Sequence, residues 1–246
     1  MRITADLHSH TLFSGHAFNT ATEMINRARE MGLKALAITD HGPDMPDSGH
    51  VWHFFNKGQI PKIIDGMAVL YGAEVNVLDK EGNLDIPVKL LSELDWVIAS
   101  IHKELIPNMS FEDSTELWLN VAKNPNVDMI GHCEQAEHFF DYDKVIQKFA
   151  ENNKVVELNA NSAFVRPLGQ KNMVTLAKTC QKYKCKVAVN SDAHSIYKVG
   201  NVQNILDMLE EIEFPNELII NLEMKDLIAE LALHHKKVAE VLGELV

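Results

Sequence analysis

Residues 4–18 read TADLHSHTLFSGHAF, so three histidines, His8, His10 and His16, lie within nine residues. They begin where a short apolar segment, residues 2–7, ends. Alternate residues of an extended chain point to the same side, so the imidazoles of His8 and His10 can reach one common partner. A strand that ends in paired imidazoles predicts a functional edge of a sheet. The ends of the other predicted strands can be examined for the same residue types.

Short runs rich in Val, Ile, Leu and Ala recur along the chain, and the segments between them have helical periodicity. Strands that alternate with helices indicate a parallel sheet, and strands that are apolar throughout indicate burial on both faces. We therefore predict an α/β fold whose strands close into a TIM-like barrel, with an open doubly wound sheet as the alternative. Thr20 and Glu23 have the spacing of a capping box before the first helix. The predicted strands are residues 2–7, 34–39, 68–73, 95–100, 127–131, 155–160 and 186–191, and the predicted helices are 21–31, 111–123, 141–152, 172–183, 201–211 and 224–242, the last ending at Gly243.

The composition limits the class of protein. A chain of 246 residues suits one large domain, so residues 1–246 are predicted to form a single domain. The net charge of −12 disfavours binding to long nucleic acids, which needs many Lys and Arg contacts, and to anionic membranes. Three cysteines make no disulfide framework, and no segment resembles a signal peptide or a membrane span. These features predict a cytoplasmic protein.

Imidazole and carboxylate side chains follow most of the predicted strands. The carboxyl ends of the strands form one face of an α/β barrel, and active sites lie on that face. Nine candidates exceed the roughly four ligands that one zinc ion takes, so they predict two or three divalent ions. Zinc is expected, with manganese and iron as alternatives, because mixed imidazole and carboxylate sites accept several metals. His8, His10 and His16 follow the first strand, His41 the second, Glu74 the third, His102 the fourth, His132 the fifth, and Asp192 and His194 the seventh.

Several polar residues outside this set are given other roles. Asp6 and Asp40 precede ligand positions and are predicted to support them, because carboxylates commonly accept the second N–H of a ligating imidazole. His138 is predicted to lie in a polar loop, and His234 and His235 are predicted to face solvent on the last helix.

The motifs DLHSHT (6–11), TDHGPDM (39–45) and SDAH (191–194), with Glu74, His102 and His132 between them, resemble the PHP family, named for polymerase and histidinol phosphatase domains. The segment GPDMPDSGHVWHF (42–54) is similar to the YcdX-like phosphatase branch of that family. The resemblance runs from residue 3 to about residue 222. It implies a distorted (β/α)7 barrel with a trinuclear metal centre at the C-terminal ends of the strands.

The resemblance also implies which residues share an ion. In this assignment Glu74 bridges the first two ions. The first ion would be held by His8, His10, Glu74 and Asp192, the second by Glu74, His102 and His132, and the third by His16, His41 and His194.

The resemblance implies a metal-dependent phosphatase whose partner is a small phosphorylated substrate, hydrolysed by a hydroxide that bridges two ions. Asp192, or a metal-bound water, would protonate the leaving alkoxide. Arg166 is predicted to clamp phosphate, because a guanidinium pairs with two phosphate oxygens, and Lys103 is a weaker candidate. The loop after His132 reads CEQAEHFF where a small loop containing proline is expected, which bears on substrate preference.

Three alternatives use the same residues. A metal-dependent amidohydrolase also has an H-x-H after its first strand, but it commonly uses a bridging lysine, and here Glu74 takes that role. A phosphodiesterase for short oligonucleotides is disfavoured by the acidic composition. A non-catalytic metal-binding module would be indicated by bound metal without turnover of any phosphoester.

Overall fold

The computed structural model describes residues 1–106, 108–135, 138–165 and 168–245. Within these ranges every predicted strand is present, and one additional short strand, β3, joins the sheet. The strands are β1 (Ala5–Asp6), β2 (Ala35–Ile38), β3 (Ile63–Ile64), β4 (Met67–Asn76), β5 (Trp96–Ser100), β6 (Met129–Ile130), β7 (Val155–Asn159) and β8 (Val187–Asn190).

The main path of the sheet follows the order of the chain, β1-β2-β4-β5-β6-β7-β8, and every pair along it is parallel. A doubly wound sheet reverses its strand order at a switch point, and this sheet has no reversal. The predicted seven-stranded barrel is confirmed, and the open-sheet alternative is wrong.

The barrel is nearly but not fully closed. β1 and β8 do not form a ladder, and the segments that follow them are joined by one isolated bridge, between Ser9 and Ala193. At the carboxyl end, the amide of His10 donates to the carbonyl of Ala193 at 2.9 Å. At the other end, Asn221 is inserted between the two strands. Its side-chain amide donates to the carbonyls of Ala5 at 2.8 Å and Val189 at 2.7 Å. This interruption accounts for the distorted barrel that the resemblance implies.

Helices cover the outside of the barrel, and the predicted capping box is present, with the amide of Thr20 donating to Glu23 at 2.8 Å. Among the described residues, no helix has the length and apolar character needed to cross a membrane. Gly243 does not end a helix in the left-handed region, since its φ is −56° and it begins a 3-10 turn. The helices are α1 (Ala21–Glu30), α2 (Trp52–Phe55), α3 (Val88–Leu91), α4 (Phe111–Val121), α5 (Tyr142–Glu151), α6 (Ser162–Val165), α7 (Gly169–Tyr183), α8 (Gln203–Glu211), α9 (Met224–Leu233) and α10 (Val238–Leu242).

The single helix predicted over residues 224–242 is wrong, because α9 and α10 are separate. His235 lies between them with a φ of +57°. This break directs Lys236 under the barrel, where its ammonium group lies 2.8 Å from the carboxylate of Asp128. His234 does not face solvent as predicted, because its Nδ1 lies 3.2 Å from Asp128 Oδ1 and its side chain is 6% exposed.

The interior of the barrel is apolar at the amino-terminal ends of the strands and polar at the carboxyl ends. Small side chains from β1 and β2 face larger ones from β4, β5 and β6, and helices α9 and α10 close this end. The lower barrel is therefore filled, and polar groups can converge only at the opposite face. The apolar interior includes Ala5, Leu7, Ala35, Ala37, Leu70, Trp96, Ile98, Met129, Leu227, Leu231 and Leu242.

Candidate metal centre

The predicted ligand residues converge on the C-terminal face of the barrel, around a cavity of about 400 Å³. β4 runs three residues past its predicted end, so Glu74 lies within the strand and not after it. His8 and His10 are fully buried against the residues that line the cavity. The predicted ligands in the lining are His16, His41, Glu74, His102, His132, Asp192 and His194.

The carboxylate of Glu74 lies at the middle of this group. It is fully buried, and its two oxygens face different imidazoles. This is the arrangement that a bridging carboxylate requires. Oε2 lies 2.8 Å from His41 Nδ1, 3.4 Å from His8 Nε2 and 3.5 Å from His10 Nε2, whereas Oε1 lies 2.8 Å from His132 Nε2 and 3.5 Å from His102 Nε2.

Asp192 approaches the same group from the loop after β8. Its Oδ1 lies 3.2 Å from His10 Nε2 and 3.6 Å from His8 Nε2. Its backbone has a φ of +51°, in the left-handed region that non-glycine residues rarely adopt. Unfavourable backbone conformations of this kind persist where surrounding contacts enforce them, and they are common at functional sites.

A third group of imidazoles lies toward the mouth of the cavity. The ring centroids of His16 and His194 are 4.5 Å apart, and those of His16 and His41 are 5.1 Å apart. His16 is half exposed, and its Nδ1 lies 2.6 Å from Oδ2 of Asp47, which the sequence analysis did not identify. His194 Nδ1 donates to the carbonyl of Asp192 at 3.0 Å, which leaves Nε2 free to bind an ion.

Several buried polar atoms in this region have no hydrogen-bond partner. Buried polar atoms are normally paired, because desolvation without compensation is costly. Donor sets of three lie within 4.8 Å of one another: His8, His10 and Glu74; His41, Glu74 and His102; and His10, His41 and His194. Imidazole nitrogens and carboxylate oxygens at this spacing fit divalent transition metals. The unpartnered atoms are His8 Nε2, His10 Nε2 and His194 Nε2.

The protonation states of Glu74 and His10 suit metal binding, whereas those of His8 and His41 do not: burial opposes their charged forms, but facing carboxylates raise the pKa of both, so each would release a proton when an ion binds. Burial would raise the pKa of Glu74, but the imidazoles of His8, His102 and His41 hold it well below its usual range. Burial lowers the pKa of His10, and the neighbouring His194 and His41 lower it further. An ionised carboxylate and a neutral imidazole are the forms that bind metals.

In most of the candidate ligand histidines, the ring nitrogen that does not face the centre forms a hydrogen bond to a group outside the predicted set. His102 Nδ1 donates to Asn76 Oδ1 at 2.7 Å, and His8 Nδ1 donates to Glu157 Oε1 at 2.7 Å. Sequence reasoning missed Glu157, although a charged residue inside the apolar run VVELNA was a signal. Such contacts fix the tautomer of a ligating imidazole.

Asp6 and Asp40 support the site less directly than predicted, because neither accepts a hydrogen bond from a candidate ligand. Asp6 accepts hydrogen bonds from the amide and hydroxyl of Ser191 and from the amide of Gly200. Asp40 accepts from Ser14 Oγ at 2.8 Å, and that hydroxyl lies 3.1 Å from His10 Nδ1. Each aspartate therefore orders a loop that carries ligands.

Only one of the two predicted phosphate contacts, Lys103, lies among the described residues. Arg166 lies outside the described residues. Lys103 is exposed and is not among the described residues that line the cavity. Lys198, which the sequence analysis missed, does line the cavity, together with Ser195 and Asn161. The signal for Lys198 was its position in the loop that follows the SDAH motif.

A parallel barrel whose C-terminal face gathers imidazoles and carboxylates defines a TIM-like barrel protein with a cluster able to bind metal ions. The PHP domain model matches residues 6–161 of the chain. The chain belongs to the PHP family, as its motifs predict.

Curated relatives cover nearly the whole chain. A probable phosphatase of Caldicellulosiruptor saccharolyticus is 39% identical over 238 residues, which are 97% of this chain and 100% of that protein. A probable phosphatase of Clostridium novyi is 39% identical over 229 residues, which are 93% of this chain and 94% of that protein. These relatives, both named probable phosphatases, confirm the predicted enzyme class, a hydrolase.

A solved structure shares the fold. Histidinol phosphate phosphatase from Lactococcus lactis, complexed with zinc, L-histidinol and phosphate, aligns with a TM-score of 0.64 at 17% identity. The alignment covers 87% of this chain and 95% of that one, so the similarity in architecture extends over most of both proteins.

Proposed function

We propose that this protein is a metal-dependent phosphatase that hydrolyses small phosphate monoesters at a centre of three divalent ions. The observation that carries the proposal is the buried Glu74 carboxylate, whose two oxygens face separate groups of imidazoles at the base of an open cavity. The names of the curated relatives, and the zinc and phosphate in the Lactococcus lactis structure, support the same conclusion.

The proposed ligand set follows the sequence prediction. Zinc is the proposed metal, because donor sets of imidazole and carboxylate without thiolate suit it. His41 lies close enough to Glu74 Oε2, at 2.8 Å, to contribute to more than one ion. The first ion would be held by His8, His10, Glu74 and Asp192, the second by Glu74, His102 and His132, and the third by His16, His41 and His194.

Bound divalent ions would lower the pKa of a bound water, so that it is activated at neutral pH. Their positive charge would also stabilise the negative charge on the phosphoryl oxygens. Asp192 lies at the cavity wall, where Asn159 Nδ2 donates to its Oδ2 at 3.1 Å. Burial would raise the pKa of Asp192, but His8 and His10 hold it well below its usual range, so it starts ionised. The leaving alkoxide would take its proton either from Asp192, once that carboxylate has accepted one from the attacking water, or from a water held at the centre, as the phosphorus–oxygen bond breaks.

Lys198 is proposed to bind the phosphate group before reaction. It lies four residues beyond His194 and lines the cavity, where an ammonium group is a point charge for a phosphate dianion. Arg166 remains a predicted phosphate contact, and Lys198 replaces Lys103 in this role because Lys103 is exposed and outside the described lining of the cavity. The apolar part of the lining, Phe18, Met45 and Val165, would contact the alcohol portion of the substrate.

The proposal is tested by metal content and activity together. Protein purified without chelator or nickel resin is reconstituted with zinc or manganese, and bound metal is counted by plasma mass spectrometry. We expect close to three ions per chain and hydrolysis of phosphate monoesters in preference to diesters. One ion or none after reconstitution would contradict the trinuclear centre. Three ions without turnover of any phosphoester would favour the non-catalytic module.

A further inference from the structure

Glu157 is a buried carboxylate that the proposed chemistry does not use. It lies in the middle of β7, is fully inaccessible to solvent, and faces the interior of the barrel next to the candidate ligands. A buried charge is retained only when hydrogen bonds or opposite charges compensate its desolvation. The partners of Glu157 therefore indicate what it does.

Each oxygen of Glu157 accepts two hydrogen bonds. Oε1 accepts from His8 Nδ1 at 2.7 Å and from Asn190 Nδ2 at 3.1 Å. Oε2 accepts from the backbone amide of His132 at 2.9 Å and from Asn159 Nδ2 at 3.0 Å. One side chain thus joins the ends of β1, β6, β7 and β8.

The contacts reach a third candidate ligand through Asn159, whose amide nitrogen also donates to Asp192 Oδ2 at 3.1 Å. Two of the three connected ligands have unusual backbones, since φ is +26° at His132 and +51° at Asp192. Backbone conformations of this kind persist when the surroundings enforce them. Glu157 holds the amide of His132 directly and the carboxylate of Asp192 through one amide.

We infer that Glu157 is a positioning residue for the metal centre, and this inference rests on the proposed function. By accepting from His8 Nδ1, it keeps the proton on that nitrogen and directs the lone pair of Nε2 into the centre. By binding the amide of His132 and, through Asn159, Asp192, it keeps ligands of the first two ions in one arrangement. Within the described residues, the group of His16, His41 and His194 makes no hydrogen bond to Glu157, so it serves as an internal reference.

The experiment compares Glu157→Gln with Asp128→Asn as a matched control. Asp128 is also fully buried and accepts a backbone amide, that of Val97, at 2.8 Å, but it lies at the opposite end of the barrel. Zinc affinity of the full-length protein is measured by competition with a chromophoric chelator, and the visible spectrum is recorded with cobalt. A carboxylate-to-amide change costs folding stability at either position, whereas only Glu157 reaches the ligands.

We expect Glu157→Gln to weaken the tightest zinc binding by about 10–100-fold and to shift the cobalt bands, as loss of a supporting contact does at metal sites. Asp128→Asn should lower the melting temperature and leave zinc affinity and cobalt bands unchanged. If Glu157→Gln does not fold, Glu157→Asp keeps the charge on a shorter arm and should show the same weakening.

Folded Glu157→Gln with the zinc affinity and cobalt spectrum of the wild type would overturn the inference. Equal loss of affinity in Asp128→Asn would also overturn it, because the effect would then reflect general damage to the barrel. If the wild-type protein binds neither zinc nor cobalt, the proposed metal centre itself has failed, which is a different outcome.

Discussion

Glu74 and Glu157 show how two buried glutamates on neighbouring parts of one barrel differ in role. Glu74 faces the Nε2 atoms of His8 and His10, which have no hydrogen-bond partner, whereas Glu157 accepts hydrogen bonds from N–H groups on its surroundings. The first environment suits a ligand and the second suits a support. Sequence reasoning identified Glu74, because it follows a predicted strand, but a glutamate inside a strand has no local pattern that distinguishes support from burial.

Lys198 gives a prediction at the scale of one residue. Lys198→Gln should raise KM for phosphate monoesters by about 10-fold or more, because a hydrogen bond to a charged group contributes roughly 1.5–3 kcal/mol. The inhibition constant for inorganic phosphate should rise in parallel, since the same group is bound. Steady-state kinetics with and without added phosphate measure both.

Lys103→Gln is the matched control for this prediction. Lys103 is exposed and follows a candidate ligand, as Lys198 does, but it is not in the described lining of the cavity. The KM of the Lys103→Gln variant for phosphate monoesters should stay within about twofold of the wild-type value, as expected for loss of a surface charge. A larger effect at Lys103 than at Lys198 would show that phosphate binds on the other side of the mouth.

The elements of the barrel follow from local pattern where they are regular. Apolar runs predicted every strand of the parallel path, and helical periodicity predicted the long helices. The elements that were missed are short or irregular. β3 is two residues long, α2, α3 and α6 are four residues each, and the break between α9 and α10, which brings Lys236 to Asp128, has no signal in helical periodicity.

The turn between β3 and β4 gives a prediction at the scale of an element. Asp65 and Gly66 connect the paired residues Ile64 and Met67, with φ of +47° and +80°, as in a two-residue hairpin of the mirror-image type. A Cβ at Gly66 would meet no atom within 4 Å, so Gly66→Ala tests conformation alone. We expect a loss of about 1–2 kcal/mol in the free energy of unfolding, measured by urea titration.

Gly58→Ala is the control for the turn, because a Cβ there also meets nothing within 4 Å but the backbone has no positive φ. Its free energy of unfolding should be unchanged or raised by up to about 1 kcal/mol, since alanine restricts the unfolded chain. Equal destabilisation by both substitutions would contradict the conformational explanation.

At the scale of the whole molecule, the candidate ligands are gathered at one end of the barrel, whereas the opposite end is mostly apolar with the buried Lys236–Asp128 ion pair beneath it. Buried ligands without partners destabilise the metal-free protein, and ions that bind the folded state stabilise it by mass action. Bound ions would therefore couple metal binding to folding throughout this barrel, because the proposed ligands lie in or directly after β1, β2, β4, β5, β6 and β8.

Removal of metal should lower the thermal stability. Adding zinc to chelator-treated protein at about 1,000 times the dissociation constant should contribute about 4 kcal/mol, provided the unfolded chain does not bind it. In a protein of this size that corresponds to a rise in melting temperature of roughly 8–16 °C. Differential scanning calorimetry measures the rise, and Glu74→Gln should show much less of it. Identical melting curves with and without zinc would contradict a coupled metal centre.

The amino-acid sequence was sufficient to infer the order of strands and helices, the barrel class and the candidate ligands. Each was inferred from local patterns, in which the residues that matter lie a few positions apart in the chain. Strand alternation places His8 and His10 on one side, and parallel order brings the strand ends to one face. The contact of His8 with Glu157 joins residues 149 positions apart, and no local period relates them. Only the tertiary structure showed which residues hold the ligands in position, that the two oxygens of Glu74 face different imidazoles, and that Lys198 lines the cavity. These features depend on how distant strands meet in three dimensions.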